Sequence, residues 1–223
     1  SPFSMDRIQS MTIEPSRLKP AFYQEVDCTG IASPYGSKTR YDGSRRPDFR
    51  YNGRHGGIDL TLEPGTPLLA IASGILVHKA KGGQMEGIFL WLLRTPEDTG
   101  YPDFVLTKYQ HLNAMPALPI GEKVTAGQVI GYSGSTGTHG GHYGSRGYPH
   151  LHLSTLESVS GKFMIKDNKL LTKARLFDPL TLFLKVKGTT KIMIPYKDCS
   201  GTIHPKGAKV VWPVNCYPKL PKP

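Results

Sequence analysis

The sequence is poor in cysteine and contains no long apolar stretch. Three cysteines occur among 223 residues, and no two of them form a CxxC pair. This removes support for a thiolate zinc cluster and for a thioredoxin-type redox site. The apolar runs are short pieces such as residues 88–93, far below the roughly 20 residues that a membrane-spanning helix needs. We therefore expect no transmembrane segment.

Acidic residues are also scarce. The chain has 17 Asp and Glu against 28 Lys and Arg, which gives a formal net charge of +11. Such a charge favours a polyanionic partner, and by itself it leaves nucleic acid, anionic lipid and bacterial wall polymer open. We expect no nucleic-acid partner, because no recognisable aromatic and basic module accompanies the charge.

Glycine and proline are abundant instead, with 25 and 19 residues. This composition predicts many turns and short strands rather than a helical bundle. The spacing of the β-like runs is too tight for crossover helices, so we predict an all-β fold with an antiparallel sheet core, arranged as a sandwich or an open, barrel-like sheet. The predicted strands cover residues 57–60, 67–78, 87–94, 103–111, 123–132 and 150–156.

The composition divides the chain into three parts. Residues 1–50 form a proline-containing N-terminal extension, residues 51–160 form the β core, and residues 161–223 form a C-terminal extension that we expect to pack on the core. One short helix is predicted near residues 15–26. A second is predicted over residues 174–184.

The C-terminal extension carries two further strand predictions, around residues 191–194 and 209–212. It also carries Cys199 and Cys216, which lie close enough in sequence to close a small loop through a disulfide. That pairing would leave Cys28 over, as a buried or a free thiol. The alternative, in which Cys199 and Cys216 are not bonded, stays open.

Four of the eight histidines and one aspartate fall into three short motifs inside the β core. The motifs are His55-Gly-Gly-Ile-Asp59, Tyr109-Gln-His111 and His150-Leu-His152. Residues two apart on a strand share a face, so the last two imidazoles project into one space. Two imidazoles and one carboxylate would leave a tetrahedral zinc ion with an open fourth position, which is the pattern of catalytic rather than structural zinc sites.

The stretch 54–153 resembles the lysostaphin-type, or LytM-domain, family of zinc endopeptidases, which cleave peptide bonds in bacterial peptidoglycan. The three motifs carry this resemblance together with Gly65-Thr-Pro-Leu-Leu-Ala-Ile-Ala-Ser-Gly74 and the glycine-punctuated segment 121–137. The resemblance implies one Zn²⁺ per chain, held by His55, Asp59 and His152. It also implies that His111 and His150 are catalytic, one as base and the other as stabiliser of the transition state, in an order that the sequence leaves open.

Several other features border this predicted site. Tyr109 is two residues before His111, so we expect it to line the substrate cleft, with a plain half-buried tyrosine as the alternative. Ser154 follows the last motif where the family often has glutamate, which alters the support for the zinc. Two long insertions, residues 94–103 and 138–149, are expected to border the cleft. The second contains His139 and His142, for which a second metal site and a solvated loop are the alternatives.

The resemblance predicts a zinc-dependent endopeptidase that acts outside the cytoplasm on peptidoglycan cross-links or stem peptides. Anionic wall polymers are possible additional partners, and the basic segment 40–54 is interpreted either as a contact for acidic ligands or as a solvated loop. Three alternatives remain: a non-catalytic LytM module that binds the wall or activates an amidase, a protease of glycine-rich proteins, and an enzyme whose extensions cover its cleft. The bond cleaved and the oligomeric state are not predicted.

Overall fold

Short strands make up most of the regular structure in the computed structural model, which describes residue 8 and residues 11–138, 147–185 and 188–219. The strands are β1 (Lys19–Ala21), β2 (Val26–Asp27), β3 (Ile58–Thr61), β4 (Pro67–Leu69), β5 (Gly74–Lys81), β6 (Ile88–Arg94), β7 (Phe104–Leu112), β8 (Lys123–Val124), β9 (Val129–Tyr132), β10 (His150–Ser158), β11 (Phe163–Lys166), β12 (Lys169–Thr172), β13 (Arg175–Phe177), β14 (Lys191–Met193), β15 (Tyr196–Lys197), β16 (Ile203–His204) and β17 (Tyr217–Pro218). One α-helix, α1 (Pro96–Thr99), and one 3-10 helix (Pro179–Phe183) accompany them. No helix in these ranges is long and apolar enough to cross a membrane.

A seven-stranded sheet in the order β13-β10-β7-β6-β5-β8 organises the molecule. Strand β3 pairs with the first half of β10, on the same edge that β13 occupies further along. Every pair in this sheet is antiparallel. The prediction of an all-β fold with an antiparallel sheet is therefore confirmed.

The sequence of β10 shows why this sheet has one polar and one apolar face. His150, His152 and Ser154 alternate with Leu151 and Leu153, and a strand with period-two alternation sends the two sets to opposite faces. Both leucines are fully buried in the hydrophobic core. Full burial of each such side chain stabilises the fold by about 1.5–3 kcal/mol. The register of β10 is thus fixed with its histidines on the other face.

The N- and C-terminal parts of the chain contribute to the same hydrophobic cluster as the sheet. Val26 and Trp212 are buried in it, and the Trp212 indole donates a hydrogen bond of 2.8 Å to the Thr29 carbonyl. A further backbone bond joins the Leu69 N–H to the Pro213 carbonyl. Segments from both ends of the chain therefore pack beside the strands that carry the histidine motifs.

The secondary-structure predictions outside the core are only partly correct. Residues 15–26 contain no helix but the short strand β1, which pairs in parallel with β14. Residues 174–184 hold β13 and the 3-10 helix, so a helical turn is present but shorter than predicted. Residues 209–212 form no strand, because Val211 and Trp212 donate single backbone bonds to two separate partners rather than to one ladder.

The insertion at residues 94–103 contains the short helix α1. Thr95 caps it, because its hydroxyl accepts from the Asp98 backbone N–H while the Asp98 carboxylate accepts from the Thr95 backbone. Gly100 ends the helix with a left-handed φ of 75°. Thr99 and Gly100 line a second cavity of about 420 Å³ rather than the cleft that contains the histidines. The prediction that this insertion borders the cleft is therefore wrong.

The disulfide joins Cys28 to Cys216, and Cys199 is exposed with a free thiol. The alternative in which Cys199 and Cys216 are not bonded to each other is therefore confirmed, and the one that leaves Cys28 without a bond is wrong. The pairing follows from the strands, because β2 and β17 run antiparallel with Asp27 opposite Tyr217, which brings the residues next to this pair together.

Removing this disulfide should destabilise the fold. The two cysteines are 188 residues apart, and a cross-link over so long a loop stabilises by about 2–5 kcal/mol. We expect the double variant Cys28→Ser, Cys216→Ser to lose this amount in denaturant unfolding. The control is Cys199→Ser, which should unfold at the same denaturant concentration as the unchanged chain. Equal midpoints for all three proteins would contradict the prediction.

Candidate active site

The three histidine motifs meet on the polar face of the central sheet. Asp59 of β3 lies opposite His152 of β10, which lies opposite Gln110 of β7. Residues directly opposite each other in an antiparallel ladder project to the same side. His150, two residues from His152, joins this row, and His55 enters it from the turn before β3.

Three of these side chains bring their donor atoms to one point. The Nε2 atom of His55 lies 3.0 Å from Asp59 Oδ1 and 3.0 Å from His152 Nδ1. The His152 Nδ1 atom lies 2.8 Å from the same carboxylate oxygen. A tetrahedral zinc ion with bonds of about 2.0–2.1 Å separates its ligand atoms by roughly 3.3 Å, so the three atoms have to move apart by only a few tenths of an ångström. The donor set of His55, Asp59 and His152 therefore fits a divalent metal ion.

Each of the three side chains is held by a partner on its far side. The His55 Nδ1 atom lies 3.1 Å from the Pro34 carbonyl oxygen, so it carries the proton and donates it there. The Asp59 Oδ2 atom lies 3.4 Å from the Arg46 guanidinium. These contacts leave His55 Nε2 and Asp59 Oδ1 free toward the metal position, as the outer partners of metal ligands generally do.

Ser154 performs the same task for His152. The Ser154 hydroxyl donates to the Gly56 carbonyl at 2.9 Å, so its oxygen accepts from His152 Nε2–H, also at 2.9 Å. His152 therefore keeps the lone pair of Nδ1 for the metal position. A hydroxyl at position 154 therefore fixes the ring of His152 and its tautomer.

The Gly56-Gly57 bend allows this close packing. A Cβ atom on Gly57 would lie 2.3 Å from the Leu153 carbonyl oxygen and 2.9 Å from the Ser154 hydroxyl. Such distances are shorter than any ordinary contact, and the backbone of β10 would have to shift. Gly57 is thus required by the close approach of the turn to β10.

The charge states of the cluster suit a metal. Burial alone would raise the pKa of Asp59, but His55 and His150 outweigh it and hold this pKa well below its usual value. Burial lowers the pKa of His152 to about 4. At neutral pH the carboxylate is ionised and the imidazole is neutral, and these are the forms that bind metal ions.

His111 and His150 flank the cluster with free ring nitrogens. His111 Nδ1 donates to the Thr136 carbonyl at 2.8 Å, and His150 Nδ1 donates to the Tyr148 carbonyl at 2.8 Å. Their ring centroids are 4.5 Å apart, and His150 Nε2 lies 3.7 Å from Asp59 Oδ1. Each ring therefore offers an Nε2 lone pair beside the metal position.

Both imidazoles are neutral at pH 7. Burial, followed by the neighbouring His150 and His152, holds the pKa of His111 well below its usual 6.5. Burial also lowers the pKa of His150, although Asp59 opposes this shift. A neutral imidazole can accept a proton from water, which is the property that a general base needs.

Tyr109 does not line the cleft. Its ring is fully buried in the hydrophobic core, and its hydroxyl donates to the Leu69 carbonyl at 3.0 Å and accepts from the Ile71 N–H at 2.9 Å. The expectation failed because His111 has a left-handed φ of 66°, which interrupts the alternation of β7. Gln110 and His111 consequently both face the cleft, and Tyr109 faces the core.

The cleft has a volume of about 410 Å³, and several of its walls were not predicted from the sequence. Trp91 of β6 and Lys108 of β7 are two such residues, and they lie next to Ser154 of β10, which was expected at the site. Their strand register was the signal that could have found them, because Trp91, Lys108 and Ser154 are direct neighbours across the ladder. Of the second insertion, the cleft includes Thr138 and Tyr148, while His139 and His142 lie outside the described residues.

Replacing Ser154 with alanine should weaken zinc binding. The His152 ring would lose the partner that fixes its tautomer, and loss of such a contact generally costs 10- to 100-fold in metal affinity. Competition with a chromophoric chelator measures this change. Ser158→Ala is a matched control on the same strand, because the buried Ser158 hydroxyl bonds to no described residue. Equal affinities for both variants would show that the Ser154 contact does not support the ligand.

The part of the chain that contains these residues is similar to known peptidases. Residues 53–162 match the model of peptidase family M23. The chain is 32% identical over 119 residues to an uncharacterized metalloprotease of Buchnera aphidicola subsp. Baizongia pistaciae, covering 53% of this chain and 27% of that protein. It is 29% identical over 170 residues to lysostaphin of Staphylococcus simulans, covering 76% of this chain and 28% of that protein. The chain thus spans about a quarter of the length of these curated relatives.

Among solved structures, the chain is similar to the catalytic domain of the antimicrobial peptidase lysostaphin from Staphylococcus simulans. It is 28% identical to this chain, and the match covers 60% of this chain and 84% of that chain with a TM-score of 0.44.

Proposed function

Because residues 53–162 of this chain belong to peptidase family M23, we propose that the protein is a zinc-dependent endopeptidase that hydrolyses peptide bonds in bacterial peptidoglycan outside the cytoplasm. One observation carries the proposal: the donor atoms of His55, Asp59 and His152 converge beside two neutral imidazoles in an open cleft. Residues 51–160 form the catalytic domain in this proposal. The net charge of +11 supports an anionic target such as the bacterial wall.

The residues around the metal position divide the chemistry between them. When bound, zinc lowers the pKa of a water molecule and polarises the scissile carbonyl. His150 has its Nε2 lone pair 3.7 Å from Asp59 Oδ1, beside the metal position, and we assign it as the base that would take the proton of the attacking water. It is held in place by the Tyr148 ring, whose centroid is 4.6 Å away. His111 also has a free Nε2 lone pair, and its ring centroid lies 4.5 Å from that of His150. The proton that His150 takes from water would therefore pass to His111 Nε2, and the protonated His111 would stabilise the developing oxyanion and give this proton to the departing amine.

The non-catalytic alternative is less well supported. A module that only binds the wall does not need a pair of neutral imidazoles whose Nε2 lone pairs lie next to a metal position. In this chain His111 and His150 form such a pair. The described part of the N-terminal extension forms a wall of the cleft through Arg40, Tyr41 and Arg46 but leaves a cavity of about 410 Å³. This supports an enzyme whose cleft is accessible to a peptide.

Metal removal and restoration tests the proposal. The purified protein should contain about one zinc per chain and release peptide fragments from isolated peptidoglycan. A chelator should stop this release, and added Zn²⁺ should restore it. Mass spectrometry of the fragments then identifies the bond cleaved. A zinc-loaded protein that binds the wall and releases no fragment would overturn the proposal in favour of the binding module.

The pH dependence follows from the imidazole that acts as base. The pKa of His150 is lowered by burial below 6.5, and a base is active in the deprotonated form that dominates above its pKa. With saturating zinc, we expect kcat/KM to be constant around neutral pH and to fall only below pH 6.5. A rate profile from pH 5 to 8 checks this. A decline that begins between pH 8 and 7 would contradict it.

A further inference from the structure

The charge around the cleft is strongly positive. Five cationic side chains line it against three carboxylates, even before a divalent metal is added. The cations are Arg40, Arg46, Arg50, Arg54 and Lys108, and the carboxylates are Asp42, Asp59 and Glu86. Four of the five cations come from the segment 40–54, which lies almost entirely outside the part of the chain matched by the family model. The excess is therefore a feature of this chain's own cleft wall.

Most of these cations are already engaged. Arg46 donates to Ser33 at 2.8 Å and contacts Asp59. Arg40 donates to the Arg45 carbonyl at 2.6 Å, and Arg54 donates to the Gly36 carbonyl at 3.1 Å. The guanidinium of Arg50 makes no hydrogen bond or ion pair with any described residue.

Lys108 is the second cation at the Arg50 end of the cleft. Its ammonium group is buried, lies 2.6 Å from Glu86 Oε1 and sits 4.2 Å from the centroid of the Phe89 ring. Burial would raise the pKa of Glu86, but Lys108 and, to a smaller extent, Arg50 lower it. Arg50 lines the same cleft as Lys108 and Glu86, and Lys169 also contributes to the lower pKa of Glu86. The single carboxylate of Glu86 thus faces more than one cation, and this end of the cleft has an excess of positive charge.

This cationic group is close to the metal position. Lys108 lies opposite Ser154, two residues along the ladder from the pair Gln110 and His152. Two residues on a strand span about 7 Å. An extended substrate covers that distance with about two residues, since each adds up to about 3.3–3.6 Å.

We propose that the Arg50–Lys108 end of the cleft binds a carboxylate of the substrate peptide, about two residues from the scissile bond. This inference rests on the proposed peptidase function. An arginine fork matches a carboxylate bidentately, and a partly buried cation pair gains most from an anionic ligand. The substrate class is thus a peptide with a free carboxylate near the cleaved bond, in preference to an uncharged chain of glycine.

Two synthetic peptides that differ in a single group test the inference. Both carry the same cleavable stem-peptide sequence, one with a free carboxylate near the scissile bond and the other with a primary amide there. The zinc-loaded full chain should cleave the carboxylate peptide with a kcat/KM about 10- to 100-fold higher, the range of a charge-assisted hydrogen bond. In Arg50→Gln this ratio should fall toward one, mainly through a higher KM for the carboxylate peptide.

The control is Arg45→Gln, since Arg45 is exposed and lies outside the cleft lining. It should keep the preference for the carboxylate peptide. Equal cleavage of both peptides by the unchanged protein would overturn the inference and leave the peptidase function standing. A preference that survives both Arg50→Gln and Lys108→Met would also overturn it. Failure of the zinc-loaded protein to cleave either peptide or isolated peptidoglycan would instead refute the peptidase function.

Discussion

Replacing His55 with alanine should yield a folded protein that binds almost no zinc and has no measurable peptidase activity. The variant loses one of the three donor atoms. The two that remain, Asp59 Oδ1 and His152 Nδ1, are fewer than the three protein ligands that a catalytic zinc site generally has. Loss of an outer partner alone costs 10- to 100-fold in affinity. We therefore expect the loss of a ligand to weaken zinc binding by more than about 100-fold.

Elemental analysis after gel filtration gives the zinc content, and circular dichroism shows whether the variant is folded. His204→Ala is the matched control, because His204 is bonded to Asp198 and lies outside the cleft lining. It should keep its zinc and its activity. A His55→Ala protein that retained one zinc per chain would show that the ion is held elsewhere.

The central strands and the convergence of His55, Asp59 and His152 could be predicted from the sequence, because the strands leave a periodic signal and the three residues lie in spaced motifs that resemble a known family. In β10 the alternation of His150, His152 and Ser154 with two leucines sets the strand, its register and the face of the histidines together. Asp59 then follows from pairing, since β3 must lie beside β10 to complete the sheet. At these positions the alternation within β10 and the pairing of β10 with β3 place the same side chains on the same face of the sheet.

The remaining parts of the site depend on contacts that no local pattern shows. The left-handed φ of His111 reverses the expected orientation of Tyr109, and a β-branched or alternating pattern does not report such an irregularity. The contact between Arg46 and Asp59 joins a loop without periodicity to a strand. The partner of Cys216 likewise follows from the pairing of β2 with β17, at opposite ends of the chain.

Removing His111 and His150, singly and together, should show that the two imidazoles serve one chemical step. Each alanine variant should lose about 10²- to 10⁴-fold in kcat, the usual contribution of a positioned acid or base. The two rings are 4.5 Å apart beside the same metal position, so a protein without one of them gains little from the other. We expect the double variant to be about as slow as the slower single variant, as is general for residues that act as a unit.

Zinc content separates this catalytic loss from a loss of metal. His111 and His150 have their Nδ1 atoms bonded to the backbone at Thr136 and Tyr148 rather than to the ligands His55, Asp59 and His152. All three variants should therefore keep about one zinc per chain while kcat falls. If the losses of the single variants multiplied in the double variant, the two histidines would contribute independently, and the expectation that they act as a unit would be wrong. A large drop in zinc content would instead place His150, the nearer of the two to Asp59, among the groups that hold the metal.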